Sequence, residues 1–160
     1  PDEVKALIGL DWALPSSYED LKQNQALLTV AYWSSKIGLL RYFPESFYIK
    51  NQTLTETERK QYRFLAYKQL MSQAMLHESQ TVKENAKKVT SSINPKIPTL
   101  LLVSNGEGTS FSQSEWQRYA ERFASDQSNV QVVYMDAPHD LYHYQSDAIV
   151  SRIKEFLENN

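Results

Sequence analysis

Three short apolar runs stand out along the chain, and longer segments with helical spacing separate them. The runs cover residues 3–10, 98–104 and 130–135, and their length and aliphatic content are typical of buried strands. Between the first two runs, residues 15–94 carry apolar positions three and four residues apart, which is the spacing of amphipathic helices. The pattern therefore predicts one strand, a long helical segment, and then a strand–helix–strand–helix unit.

Breakers and periodicity divide the helical segment. We expect a helix over 18–42 that begins after a breaker at residues 15–17 and ends before Pro44. The next helix is expected to keep its apolar face as far as Met75, and a more polar helix over 79–89 follows. The whole segment is thus predicted to be helical, with loops only at these interruptions.

Side-chain caps mark the starts of several predicted helices. Thr55 with Glu58 has the spacing of a capping box, and so has Ser112 with Glu115. Ser146 is the expected cap of the last helix.

The order of elements after residue 98 implies parallel strands joined by right-handed crossovers. A helical segment inserted between two strands of such a sheet often covers the carboxyl edge of the strands as a lid. Three strands alone form a poor sheet. We therefore expect another segment or another chain to complete it.

Composition narrows the class of protein. The chain has 160 residues, a net charge of −2 and a pI near 6.0, without a basic stripe that would favour nucleic acid. It has no apolar run of the roughly 18 residues that a membrane span needs. Cysteine is absent, which excludes disulfides and thiolate zinc sites. We expect a soluble domain, cytoplasmic or extracytoplasmic, with the compartment undetermined.

Candidate chemistry gathers after the strand-like runs. His139 lies in "DAPHDLYH", directly after the third run, where α/β enzymes often place a general base. Asp11 follows the first run in "GLDWALP", and Glu107 lies in the turn "NGEGT" after the second. Either carboxylate could orient the imidazole, because the carboxyl ends of parallel strands meet at one edge of a sheet.

Four stretches together resemble the C-terminal half of an α/β-hydrolase. "PDEVKALIGLDWALP" is similar to the sixth strand of that fold, and "IPTLLLVSNGEGT" to the seventh strand and its turn. "VQVVYMDAPHDLYHYQSDAIVSRIKEFL" is similar to the eighth strand, the histidine loop and the last helix, and the helical segment between resembles the cap. The resemblance implies a sixth-strand segment over 1–15, a helical cap or lid over 16–94, and the C-terminal core over 95–160.

The family's nucleophile elbow, G-x-S-x-G, does not occur in this sequence. The resemblance implies that the nucleophile, the oxyanion hole and five strands lie upstream of residue 1. We accordingly expect the 160-residue chain to be inactive alone. We also expect its sheet to be completed by the missing N-terminal half or by a second copy.

The resemblance also implies the roles of the candidate residues. His139 is the expected general base of a Ser-His-acid mechanism acting on an ester-like or other small acyl substrate. Asp11 is the preferred acid and Glu107 the alternative. The turn around Glu107 departs from the family, because Gly108 occupies the position of its usual aspartate.

Aromatic residues are candidates for the substrate pocket, although each could equally be ordinary helix packing. The main ones are Trp12, Tyr32 and Trp33, with Tyr42, Phe43, Phe47 and Tyr48 nearby in sequence. His143 lies four residues after His139, but no third ligand accompanies the pair, so neither a metal nor another cofactor is expected.

Two alternative functions stay open at the level of sequence. One is a non-catalytic binding module built on the same scaffold, since fold alone does not determine function. The other is a hydrolase similar to haloalkane dehalogenases, which use an aspartate nucleophile and share the position of Asp11.

Overall fold

The chain folds as a mixed α/β protein in a computed structural model that describes residues 3–42, 54–90, 96–125 and 127–160. These residues form two compact units, one from 1–21 with 86–160 and the other from 22–85. Across the described ranges there are three strands and six α-helices. The first unit holds the sheet and every candidate catalytic residue.

Three parallel strands form the sheet in the order β1-β2-β3. They are β1 (Leu7–Leu10), β2 (Thr99–Val103) and β3 (Val130–Tyr134). Both pairings are parallel, so the predicted strand direction is confirmed. β1 is shorter than predicted, because only residues 7–10 pair with β2.

Helices cover both faces of the sheet. Leu100 and Leu102 of β2 pack with α6 (Ser146–Glu158), whereas Leu101 and Val103 pack with α5 (Gln113–Ser125). Alternate residues of a strand point to opposite faces, so β2 is buried on both sides and forms the centre of the core. The flanking strand β1 is less covered: Leu7 and Leu10 are 38% and 43% exposed.

The second unit contains α2 (Gln25–Lys36), a 3₁₀ turn (Leu39–Tyr42), α3 (Glu56–Gln69) and most of α4 (Gln73–Thr90). The Ser35 hydroxyl of α2 donates a hydrogen bond to the carbonyl oxygen of Leu70 at 2.8 Å. This bond ties α2 to the end of α3.

The prediction of one helix over 18–42 is wrong. Pro15 does not break the pattern but begins α1 (Pro15–Asp20), because proline needs no amide partner at the first position of a helix. The helix stops after Asp20, and α2 begins with Asn24 as its cap, whose side chain accepts from the amide of Leu27 at 3.1 Å. The expected stop at Pro44 lies outside the described residues.

The predicted boundary between the next two helices is also wrong. Met71 adopts a left-handed φ of 53°, which ends α3 before it. The Ser72 hydroxyl then accepts from the amide of Met75, so Met75 belongs to α4, which begins earlier than the predicted 79–89. Residues 16–21, predicted as part of the cap, lie in the unit that holds the sheet.

Two of the three predicted caps are confirmed. Both capping boxes form: the amides of Thr55 and Ser112 donate to the carboxylates of Glu58 and Glu115 at 2.8 and 2.9 Å. Ser146 is not a cap, since it is the first residue of α6.

No helix within the described ranges is long and apolar enough to cross a bilayer.

Candidate active site

Asp11 directly follows β1 and is fully buried. Its amide donates to the carbonyl oxygen of Leu102 at 2.7 Å, which extends the β1–β2 pairing by one residue. Its φ is 48°, in the left-handed region that aspartate tolerates better than most residues. This backbone conformation turns the chain at the strand end while the carboxylate stays inside the protein.

His139 lies in the loop between β3 and a 3₁₀ turn (Leu141–His143). Its amide donates to the carbonyl oxygen of Glu107 at 2.8 Å. This hydrogen bond joins the histidine loop to the turn that follows β2. The side chain is 40% exposed. The imidazole is therefore anchored through its backbone and still accessible from one side.

The structure brings His139 and Asp11 together across 128 positions of sequence. Nδ1 of His139 lies 2.5 Å from Oδ2 of Asp11. An ionised carboxylate only accepts hydrogen bonds, so Nδ1 carries the proton and Nε2 of the neutral ring holds a lone pair. Within the described ranges no side chain hydrogen-bonds Nε2, which leaves this nitrogen open to a reacting group.

The other carboxylate oxygen of Asp11 accepts two N–H groups. The amide of Ser104 donates to Oδ1 at 2.7 Å, and the indole Nε1–H of Trp116 donates to the same atom at 2.8 Å. Ser104 is the residue directly after β2, and Trp116 belongs to α5, the helix that follows. The carboxylate is thus held by three N–H groups, counting the imidazole.

The surroundings shift the pKa values of both partners in opposite directions. Burial raises the pKa of Asp11, but hydrogen bonds from His139, Ser104 and Trp116 outweigh it and hold the pKa below its ordinary value. The hydrogen bond to Asp11 raises the pKa of His139, against partial burial, which lowers it. The pair therefore favours an ionised Asp11 and a readily protonated imidazole, as a general base requires.

Stability should follow the titration of this pair. Because the pKa of His139 is higher in the folded protein than its ordinary value of 6.5, the protonated imidazole stabilises the fold below pH 6.5. This stabilisation is lost as the pH rises through the pKa of His139 in the folded protein. Because the pKa of Asp11 is lower in the folded protein than its ordinary value of 3.8, the ionised carboxylate stabilises the fold above pH 3.8. This stabilisation is lost as the pH falls through the pKa of Asp11 in the folded protein. We expect urea denaturation at a series of pH values to show the pair's largest contribution between these limits. His139→Gln should remove the decline above pH 6.5; an unchanged decline would contradict the pairing.

Glu107 takes a different place from Asp11. Its side chain is exposed, and its amide donates to the side chain of Asn105 at 3.0 Å. Its contact with His139 is made by the backbone carbonyl. In this structure the carboxylate on the imidazole is that of Asp11, and Glu107 supports the histidine loop.

The predicted pocket aromatics fall into the two separate units. Trp12 adjoins Asp11 in sequence, is 42% exposed, and lies near the ring of Phe123 at 6.2 Å. Tyr32 and Trp33 belong to α2, with their rings 5.4 Å apart and nearly perpendicular. Tyr42 is exposed, and Phe43, Phe47 and Tyr48 lie outside the described residues.

His143 does not join the site. Its ring lies against Tyr142, with centroids 4.3 Å apart, and its amide donates to the carbonyl oxygen of Asp140. In the part of the chain that the structure describes, no three histidine or carboxylate side chains cluster as metal ligands would.

Trp116 and Ser104 are the contributors that the sequence did not reveal. Trp116 lies at a buried position of α5 and reads in the sequence as ordinary core, since Tyr119 and Ala120 follow it on the same face. Ser104 ends the second apolar run and contributes through its backbone. The one available signal was the place of Ser104, directly after the carboxyl end of the central strand.

A bacterial protein is similar to this chain along almost the whole of its length. No family model matches the chain, and no solved structure does. A protein of Bacillus subtilis (strain 168), described as uncharacterized protein YbdG, is 28% identical over 167 residues, covering 98% of this chain and 51% of that protein. The chain thus spans about half the length of this curated relative.

Proposed function

We propose that this chain supplies the general base, the acid and the cap of a serine-type α/β-hydrolase that cleaves small ester-like substrates. The observation that carries the proposal is the hydrogen bond from Nδ1 of His139 to the buried carboxylate of Asp11. It joins the loops after the first and third strands at the carboxyl edge of a parallel sheet, where α/β proteins place their sites.

In the proposed reaction, Nε2 of His139 removes the proton from a serine hydroxyl as the oxygen attacks the ester carbonyl carbon. Asp11 stabilises the imidazolium that results. The imidazolium then gives its proton to the departing alkoxide, and the acyl group stays on the serine. Water, deprotonated in turn by Nε2, attacks the acyl carbon; the bond from that carbon to the serine oxygen breaks, and the imidazolium returns its proton to the serine as the acid leaves.

The serine would come from a segment that joins the sheet at β1. Strand amides alternate in direction, and those of Leu7 and Asp11 point to β2, so those of Ile8 and Leu10 point to the open side. The apolar side chains of Leu7, Leu10 and Trp12 line an open groove along this edge. A parallel strand added here would end beside Asp11 and His139, in the right place for a nucleophile.

The test is reaction with a fluorophosphonate, which traps activated serines covalently. The longest natural polypeptide that contains this chain should form one adduct, on a serine outside residues 1–160, and His139→Ala should abolish it. Labelling within residues 1–160 would contradict the proposed division of the site. If no serine is labelled but halide is released from haloalkanes, the nucleophile is an aspartate instead. If neither labelling nor halide release occurs, the result supports the non-catalytic binding module.

A further inference from the structure

Trp116 makes two separate contacts with the proposed catalytic pair. Its indole N–H donates to Oδ1 of Asp11 at 2.8 Å, and its ring stands perpendicular to that of His139, with centroids 5.8 Å apart and an interplanar angle of 88°. The indole also stacks on the ring of Phe111, with centroids 5.8 Å apart. Trp116 is 6% exposed. One buried side chain therefore contacts both members of the pair.

We propose that Trp116 is a positioning residue that fixes the carboxylate of Asp11 with Oδ2 toward His139 and limits the tilt of the imidazole ring. The catalytic meaning of this role rests on the proposed function. The geometric role does not, because the contacts exist whatever reaction the protein performs.

A positioning residue is needed because the carboxylate of an aspartate can rotate about its terminal torsion. The terminal torsion of aspartate is broad, so a single donor on Oδ1 leaves the plane of the carboxylate free to rotate. The amide of Ser104 and the indole of Trp116 both donate to Oδ1. Two donors arriving from different elements define the plane, and Oδ2 then faces Nδ1 of His139.

The position of Trp116 is itself held firmly by α5. Three residues further along this helix, the Tyr119 hydroxyl donates to Oδ2 of Asp20 at 2.7 Å, which links α5 to α1. Phe111, just before the helix, packs between Trp116 and Tyr119. The indole can therefore hold Asp11 in place without moving itself.

An ordinary core residue in this position would affect stability alone, so the test needs a readout of the pair. The chain has three tryptophans, and Trp12 and Trp33 serve as internal controls because they are 42% and 61% exposed. In ¹H–¹⁵N spectra of the protein, we expect the Trp116 indole N–H to exchange slowly and to shift as His139 titrates. Asp11→Asn should move the Trp116 signal upfield and leave the signal of Trp33, which belongs to the other unit, unchanged. Equal behaviour of all three would overturn the proposal.

Trp116→Phe removes the donor and keeps a ring, and Tyr119→Phe is its matched control on the same helix. The control loses a partly buried hydrogen bond to Asp20, an aspartate that lies outside the pair. We expect the pKa of the Asp11 carboxyl, followed by ¹³C NMR, to rise in Trp116→Phe, which removes a direct donor, and to change much less in Tyr119→Phe, which acts only through the position of α5. Equal titrations in both variants would refute the positioning role.

The indole spectra and the carboxyl titrations test the contacts of Trp116 independently of any hydrolase activity. If Trp116→Phe does not fold, the indole spectra of the unmodified protein still decide the geometry. If no hydrolase activity exists, the titrations still report whether Trp116 controls Asp11. Where activity is present, we expect Trp116→Phe to lower kcat about tenfold with little change in KM, since it disturbs orientation and leaves substrate contacts alone.

Discussion

Asp11→Asn is expected to leave the fold intact and to reduce ester turnover by about 10⁴-fold in the polypeptide that carries the nucleophile. Asparagine tolerates the left-handed φ of 48° at this position, and its oxygen can still accept from Ser104 and Trp116. Its amide nitrogen would then face Nδ1 of His139. The imidazole proton would move to Nε2, the tautomer that cannot accept a proton from serine.

Glu107→Gln is the matched control for this variant. It makes the same chemical change on the neighbouring strand end, but the side chain is exposed and the backbone carbonyl that supports His139 is unaffected. Turnover should stay close to that of the unmodified protein, measured as initial rates of p-nitrophenyl butyrate hydrolysis. A larger loss with Glu107→Gln than with Asp11→Asn would move the acid to the second strand.

His139→Ala should cause the largest loss of activity, about 10⁴- to 10⁶-fold in kcat. The imidazole is the one group that the proposal assigns to move protons in both halves of the reaction, and its side chain is 40% exposed, so a reacting group can reach it. The assay is again hydrolysis of p-nitrophenyl butyrate, with circular dichroism to verify folding.

His143→Ala is the control, because it removes a partly buried histidine of the same loop that packs against Tyr142. We expect it to retain most of the activity. A comparable loss in both variants would show that the loop, and not the imidazole of His139, is what matters.

The proximity of Asp11 and His139 could be anticipated because it depends on topology. Residues that follow parallel strands arrive at the same edge whatever the details of the connections, so a spacing of 128 positions is no obstacle. The capping boxes at Thr55 and Ser112 were predictable for the opposite reason, since each depends on two residues that lie three positions apart in the sequence.

Helix interruptions were harder to anticipate because no glycine or proline marks them. The apolar spacing continues through residues 21–24 and through Met71, although the backbone leaves the helix at both places. A non-glycine residue at positive φ is uncommon, so no sequence rule predicts that Met71 adopts it. At both places a polar side chain, Asn24 or Ser72, accepts a hydrogen bond from an amide at the start of the following helix, and this local capping outweighs the apolar periodicity.

The role of Trp116 could not be predicted for a geometric reason. Its indole reaches Asp11 across 105 positions of sequence, and the reach depends on how α5 is rotated against β2. The sequence shows only a buried face. If α5 were rotated about its axis by the angle that separates two successive residues, the indole of Trp116 would point away from the carboxylate.

The measurement that tests the central claim most directly is p-nitrophenyl butyrate hydrolysis by the longest natural polypeptide containing this chain, beside the 160-residue chain alone. We predict turnover well above buffer for the longer polypeptide and none for the chain alone, because Nε2 of His139 lacks a nucleophile among the described residues. Hydrolysis by the chain alone that disappears with His139→Ala would contradict the account, as would an inactive longer polypeptide.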